Sequence, residues 1–325
     1  MIVYLLRRIG QSILAVVVMA VLVFLGVYAI GNPVDILISP DATQAEIRAT
    51  IARLGLDQPL WQQFLTFAGN ALRGDLGISF VYGRPALQII LERMPATFEL
   101  AFVALFISVL LGIPLGIYAG LKPESIGGRS VMAGSIMGFS LPNFWQGMIL
   151  ILVFAVYLGW LPAGGRGPTV SVLGVPVSFL TPQGWVYLLL PAMNLALFKM
   201  ALVIRLARAN TREVSLQDYI KFARAKGLSR NRIVTVHVLK NIMIPLVTVL
   251  GLELGSMVAF AIVTETVFAW PGMGKLLIDS INLLDRPVIV AYLMLTVVII
   301  VTINLVVDVL YTVLDPRVRL SEVKG

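Results

Sequence analysis

Apolar residues run in six long blocks along the chain, at about 9–30, 97–120, 131–159, 185–206, 243–269 and 288–313, with polar residues gathered between them. Each block reaches the roughly 20 residues that a helix needs to cross about 30 Å of hydrocarbon. Inside lipid every backbone N–H and C=O must be paired within the chain, so blocks of this length predict helices and exclude open strands. The expected fold is all-α: a polytopic membrane protein with six transmembrane helices, forming a single domain over 1–325. Pro142 falls in the third block and Pro191 in the fourth. Each removes a backbone donor, which predicts kinks there. The first block follows Arg7 and Arg8 as a secretory signal would. It is longer than the roughly 7–15 apolar residues of a signal core and reads as a retained span.

The polar connectors differ from one another. Segment 31–96 has a helical pattern of its own. In "DATQAEIRATIARLGL", Asp41 or Thr43 suits a helix start, Ile47, Ile51 and Leu54 recur at helical spacing, and Gly55 suits the end. "PLWQQFLTFAGNALRG" predicts a second amphipathic helix carrying Trp61, Phe64, Leu65 and Phe67. A small extracytoplasmic helical cap on the membrane surface is expected over 31–96, with spans two to six forming the core over about 97–313.

Charge fixes the orientation. Segment 205–241 holds nine Lys and Arg against Glu213 and Asp218, whereas 31–96 holds five Arg against six acids. By the positive-inside rule the basic segment is cytoplasmic, and with six spans both termini are too. Composition agrees, with 58% hydrophobic and 13% charged residues and a mean hydropathy of +0.93. The net charge of +8 flanks spans and forms no soluble basic domain, so no nucleic-acid partner is expected. There is no cysteine and a single histidine, His237, which excludes disulfides, thiol catalysis and a paired-histidine zinc site; no metal is expected. His237 reads as a cytoplasmic helix residue.

The basic loop 207–242 has internal order. In "DYIKFARAKGLSR", Asp218 suits a first turn, and Tyr219, Phe222 and Ala223 are expected on one face. Gly227 suits a left-handed C-terminal cap, and Ser229 can start the next helix at once. Ala223, Ala225 and Gly227 leave room for close approach, as a docking surface requires.

This stretch, with "NRIVTVHVLKNIMIP" after it, resembles the cytoplasmic "EAA" loop of ATP-binding-cassette importer permeases, and specifically their dipeptide/oligopeptide (peptide/nickel) branch. "RLGLDQPLWQQFLTF", "RGDLGISF" (73–80), "RMPATFELA" (93–101), "IPLGIYAG" (113–120), "ETVFAWPGMGKLLIDSI" (265–281) and "DPRVR" (315–319) look like that branch in the same order. Counting back from Gly227, the Glu-Ala-Ala positions hold Lys221, Phe222 and Ala223, so only the last alanine matches; Asp218 is the candidate for the missing acid. The resemblance implies a coupling helix that docks on an ATPase through Asp218, Tyr219, Phe222, Ala223, Arg224, Ala225, Lys226, Gly227, Leu228 and Arg232. It implies a permease subunit of an ATP-driven importer of short peptides in the bacterial cytoplasmic membrane. The implied partners are a second homologous permease, two ATPase subunits or domains that bind ATP and Mg, and an extracytoplasmic substrate-binding protein. Nickel chelates, glutathione or oligosaccharides are the alternative cargo within the same architecture.

No cofactor or enzyme site is expected in this chain. "PGMGKLL" lacks the P-loop pattern, since Ala269 stands where the first glycine belongs and Leu276 where the Mg-binding hydroxyl belongs. Trp270, Pro271, Gly272 and Gly274 read instead as an outer loop. Ionisable and polar residues at membrane depth are candidates for the translocation path. Glu253, Met257, Phe260 and Thr264 recur at one helical face, and Ser140 and Asn143 flank Pro142. Hydrogen bonding between helices is the competing role for these side chains. A self-sufficient secondary transporter is the rival function, and it would call for intramembrane charge pairs, discontinuous helices at mid-span and inverted repeats; no clear internal repeat is evident.

Overall fold

The computed structural model describes residues 2–29, 43–53 and 57–314. Ile30, the loop 31–42 with Asp41, the Leu54–Gly55 helix end and the 315–319 tail lie outside the described residues. The helices are α1 (Ile2–Ala29), α2 (Gln44–Arg53), α3 (Leu60–Leu72), α4 (Ala86–Leu121), α5 (Ile126–Ser140), α6 (Asn143–Leu150), α7 (Pro182–Ser215), α8 (Asp218–Ala225), α9 (Leu239–Val267), α10 (Met273–Asn282) and α11 (Arg286–Leu314). A π-helical stretch, Ile151–Tyr157, continues α6, and another, Ile233–Val238, leads into α9. Among the described residues, five helices are long and apolar enough to cross a membrane: α1, α4, α7, α9 and α11. A sixth apolar stretch is a bent pair, α5 with 143–157, turned by 108° at the Leu141–Pro142 break, the geometry of a broken span or of a re-entrant loop. The kink expected at Pro142 is thus a sharp elbow, while Pro191 sits inside an unbroken α7.

One feature departs from an all-helical chain. Val170–Val172 and Val175–Val177 pair antiparallel across a two-residue turn, Leu173–Gly174, in which both φ values are positive. Such a turn matches the right-handed twist of the strands it joins. Helical spacing in the flanking blocks gave no sign of this short hairpin.

The chain forms two compact units, Met1–Glu92 with Leu277–Val301, and Arg93–Leu276 with Thr302–Gly325. In the first, Phe64 and Phe67 of α3 pack on Phe24 of α1 at ring separations of 5.4 and 5.9 Å. Leu60, Trp61 and Leu65 stay exposed on the other side, an apolar face of the kind that rests on a bilayer. A capping box opens α2: the Glu46 carboxylate accepts from the Thr43 N–H, and Thr43 Oγ1 accepts from the Glu46 N–H. The Asp285 carboxylate accepts from the Ser79 hydroxyl and from the Phe80 N–H, tying the "RGDLGISF" loop to the start of α11.

The second unit is built on helices that meet at small residues. A Cβ on Gly116 would lie 2.6 Å from the Ala207 Cβ and 2.7 Å from the Ile204 carbonyl oxygen; Gly112 faces Val203 and Gly120 faces Thr211 in the same way. Three glycines at every fourth residue therefore bring α4 against α7 at backbone distance, the small-residue packing that membrane helices use. Gly251 of α9 meets Val307 of α11 similarly.

Candidate functional site

The basic segment around α8 is held from within. Ile220 of α8 is fully buried and Ala223 nearly so, in one cluster with Ile113, Val203, Ala207, Ile233, Val238, Ile242, Leu246 and Leu250 from α4, α7, α9 and its approach. Tyr219 and Phe222 point the other way, Phe222 with 61% of its surface exposed. The single face expected for Tyr219, Phe222 and Ala223 is therefore divided, because the apolar partners of Ala223 come from distant helices that sequence spacing does not reveal. Asp218, Lys221, Arg224, Ala225, Lys226, Gly227 and Arg232 are exposed, and Leu228 is half-buried. Lys226 Nζ sits 4.6 Å from the Phe222 ring centroid, a cation laid on an exposed aromatic face. The Lys221 ammonium hydrogen-bonds Asp218 and holds its carboxyl below the usual aspartate range.

The end of α8 and the start of the next run follow the sequence. Gly227 has φ +74°, the Leu228 N–H donates to the Ala223 carbonyl, and the Gly227 N–H donates to the Arg224 carbonyl. This is a Schellman cap, and it needs glycine for its backbone, since a Cβ there would meet nothing within 4 Å. Ser229 Oγ then accepts from the Arg232 N–H, opening the run that becomes α9. His237 is half-buried on that run, and its carbonyl accepts from Asn241.

The polar residues at membrane depth are gathered into three groups. Asn194 donates to Asn143 (2.7 Å) and to Thr264 (3.1 Å), and Asn143 donates to Thr264 (3.2 Å), joining α6, α7 and α9. Ser140 ends α5, exposed, with its hydroxyl donated to the Ile136 carbonyl. Glu253 is ion-paired with Lys199 of α7, and Ser256 bonds both. The face expected for Glu253, Met257, Phe260 and Thr264 thus straddles a boundary: Met257 and Thr264 are fully buried, and Phe260 is 70% exposed. Asn194 and Lys199 were missed from sequence, although a lysine in the middle of an apolar block was a signal in its own right.

The third group surrounds Glu265 and Glu99. One Glu265 oxygen accepts from Thr97 Oγ1 (2.6 Å) and the other from the Lys275 N–H (2.9 Å); Thr97 Oγ1 in turn accepts from the Met273 N–H. Gly272 and Gly274 are packed so closely on this carboxylate that a side chain on Gly272 would strike it. Trp270 is fully buried and donates its indole N–H to the Ala96 carbonyl. The expected outer loop of Trp270, Pro271, Gly272 and Gly274 is thus a buried turn, with a carboxylate where a P-loop would hold phosphate. Nearby, Glu99 accepts from Ser178 N–H and Oγ and from the Phe179 N–H, and its second oxygen accepts from Arg166 Nε and Nη2. Arg166 also donates to the Pro176 carbonyl and lies 5.8 Å over the Trp270 ring. These bonds fasten the hairpin to α4. Thr97 and Glu99 both come from "RMPATFELA", so that motif serves as an anchor for two separate segments.

These features are those of a helical, multi-pass membrane protein, with a basic helix rooted in its core and polar junctions between its long apolar helices. The chain is a member of the family of binding-protein-dependent transport system inner membrane components, which it matches over residues 112–320, and residues 1–101 match the N-terminal part of such components. It is 37% identical over 333 residues to the dipeptide transport system permease protein DppB of Escherichia coli K12, covering 97% of this chain and 98% of that protein. It is 37% identical over 318 residues to the oligopeptide transport system permease protein AppB of Bacillus subtilis 168, covering 97% and 99%. It is 38% identical over 317 residues to the glutathione transport system permease protein GsiC of Escherichia coli K12, covering 97% and 98%. The fold is also that of a solved chain of the MetNI methionine ABC transporter in an inward-facing conformation, at a TM-score of 0.55 and 18% identity over 70% of this chain and 97% of that one.

Proposed function

We propose that this chain is the permease subunit of an ATP-driven importer that carries dipeptides or oligopeptides delivered by an extracytoplasmic binding protein. It pairs with a second, homologous permease, and two ATPase subunits or domains beneath the pair bind ATP and Mg. On this reading, nucleotide and Mg binding fall to those partners and not to this chain. Both termini, α8 and the 207–242 loop face the cytoplasm, and 31–96, the hairpin and the 269–274 turn face outside.

The observation that carries this reading is the division of α8. Its inner face is locked into the same apolar cluster as α4, α7 and α9, and its outer face offers Tyr219, Phe222, Arg224 and Lys226. A helix held this way moves with the spans as one body, so closure of a docked ATPase pair is passed to the membrane helices without chemistry of its own. Alternating access follows: nucleotide-driven closure opens the cavity outward to the binding protein, and hydrolysis returns it. The Glu265 carboxylate, held by Thr97 and the Lys275 amide inside the "PGMGK" turn, supports leaving ATP to the partners.

Extraction in mild detergent tests this reading. ATPase subunits and a second permease are expected to co-purify, and peptide uptake into liposomes is expected only with ATP and the binding protein. Uptake by the lone chain in response to an ion gradient would identify a secondary transporter instead. Glutathione is the second cargo to assay, because GsiC is as similar to this chain as the peptide permeases are.

A further inference from the structure

Two ion pairs are buried between distant segments of the second unit, and they are built differently. In the Glu99–Arg166 pair the carboxylate is 1% exposed and both of its oxygens are saturated by five hydrogen bonds. In the Lys199–Glu253 pair the glutamate side chain is 23% exposed and the lysine side chain 11%. Both bonds to Glu253, from Lys199 and from Ser256, end on Oε2, so Oε1 accepts nothing. The Lys199 ammonium gives two of its three N–H groups, to Glu253 and Ser256, and lies 5.4 Å from the Phe198 ring centroid. Among the described residues, the pair therefore keeps Oε1 of Glu253 as an open acceptor beside a lysine whose third N–H makes no hydrogen bond.

Its depth is informative. Lys199 lies midway along the crossing helix Pro182–Ser215, and Glu253 lies well inside Pro245–Val267. An ion pair with an open edge at that depth is costly against hydrocarbon, which makes lipid the least favourable neighbour for it. Leu252 and Phe260 are exposed on the same helix and make the surroundings apolar. The opening thus presents one anion and one cation, with no net charge, on an otherwise apolar wall.

Building on the reading of this chain as a peptide importer subunit, we propose that Lys199 and Glu253 are specificity-determining residues of the translocation path. Lys199 receives the free carboxylate of a passing peptide, and Glu253 receives its free ammonium. A zwitterionic peptide is the chemical complement of the pair: it replaces one ion pair by two and leaves no charge unpaired at mid-membrane. Ser256 holds the two side chains together when no cargo is present.

The test uses the whole importer in liposomes, with its binding protein saturated in turn by dialanine, N-acetyl-dialanine and dialanine amide. Lys199→Met/Glu253→Met removes both charges together and avoids leaving one buried alone. It is expected to reduce dialanine uptake about tenfold, the order of one lost charge-assisted hydrogen bond, and to abolish the preference for free over blocked ends. Glu253→Gln keeps the shape and is expected to lose discrimination at the amino end alone, and it decides the matter if the double variant fails to assemble. If discrimination stays at the wild-type ratio in whichever variant assembles, the pair is a structural staple and the proposal falls. If the wild-type importer moves glutathione and no dipeptide, the peptide assignment is what fails, and the same variants are then read with glutathione and its amide.

Discussion

At the scale of single residues, the membrane-embedded polar groups do two kinds of work. Glu99 is saturated, and its loss leaves the Arg166 guanidinium buried without its anion. Glu99→Ala is expected to cost about 3–5 kcal/mol, the penalty for breaking a buried pair from one side. It should appear as a lowered thermal midpoint in detergent and as protease cleavage within 160–184. Glu99→Gln should fall in between, because the amide oxygen still accepts from some of the same donors. None of these partnerships was legible in the sequence. Glu253 stood out as a charge in an apolar block, but Lys199 lies 54 residues away, and Glu99 meets Ser178 across 79 residues. Spacing rules speak of neighbours within a helix, and these bonds are made between helices.

Among elements, α8 was the most readable, because the signals that bound it are local: Gly227 closes it and Ser229 caps the run that follows, each within five residues of its partner. Its orientation was not readable, since Ile220 and Ala223 are buried by helices from elsewhere in the chain. Two substitutions separate its faces. Ile220→Ala is expected to destabilise the chain by about 2–4 kcal/mol, as large-to-small changes in a packed core do, seen as a lower unfolding midpoint of the purified subunit. Phe222→Ala should leave that midpoint within about 0.5 kcal/mol, the range of surface changes, and reduce ATPase co-purification and ATP-driven uptake. Acidification should loosen the start of α8: the Asp218 carboxyl sits below its ordinary value, so its contribution is present above that value and lost as pH falls through the lowered one. The α4–α7 contact gives another prediction. Gly116→Leu places side-chain atoms against the Ala207 Cβ and the Ile204 carbonyl. It should cost about 1–3 kcal/mol by overpacking and, under the proposed coupling, slow transport more than it lowers ATPase assembly, because it disturbs the helices on which α8 is packed while leaving its outer face intact.

At the scale of the molecule, five span-length helices and the amphipathic helix α3 followed from the apolar pattern, the spans because a bilayer leaves the backbone so few alternatives. The hairpin at 170–177 did not follow, because two strands of three residues carry too little alternation to rise above their apolar surroundings. The third crossing was legible as a block but not as an elbow. Its two limbs, 126–140 and 143–157, each reach only about 22 Å at 1.5 Å per residue. That bend also bears on the order in which the protein is made. Gln146 donates to the Gly138 and Leu141 carbonyls, so the exposed backbone at the elbow is covered by a residue synthesised moments later. Asn143, in contrast, waits for Asn194 and Thr264, which emerge from the ribosome 51 and 121 residues afterwards. During biogenesis the Gln146 bonds can therefore tie the two limbs together early, and synthesis of the fifth span supplies the last partner of Asn143 at the elbow.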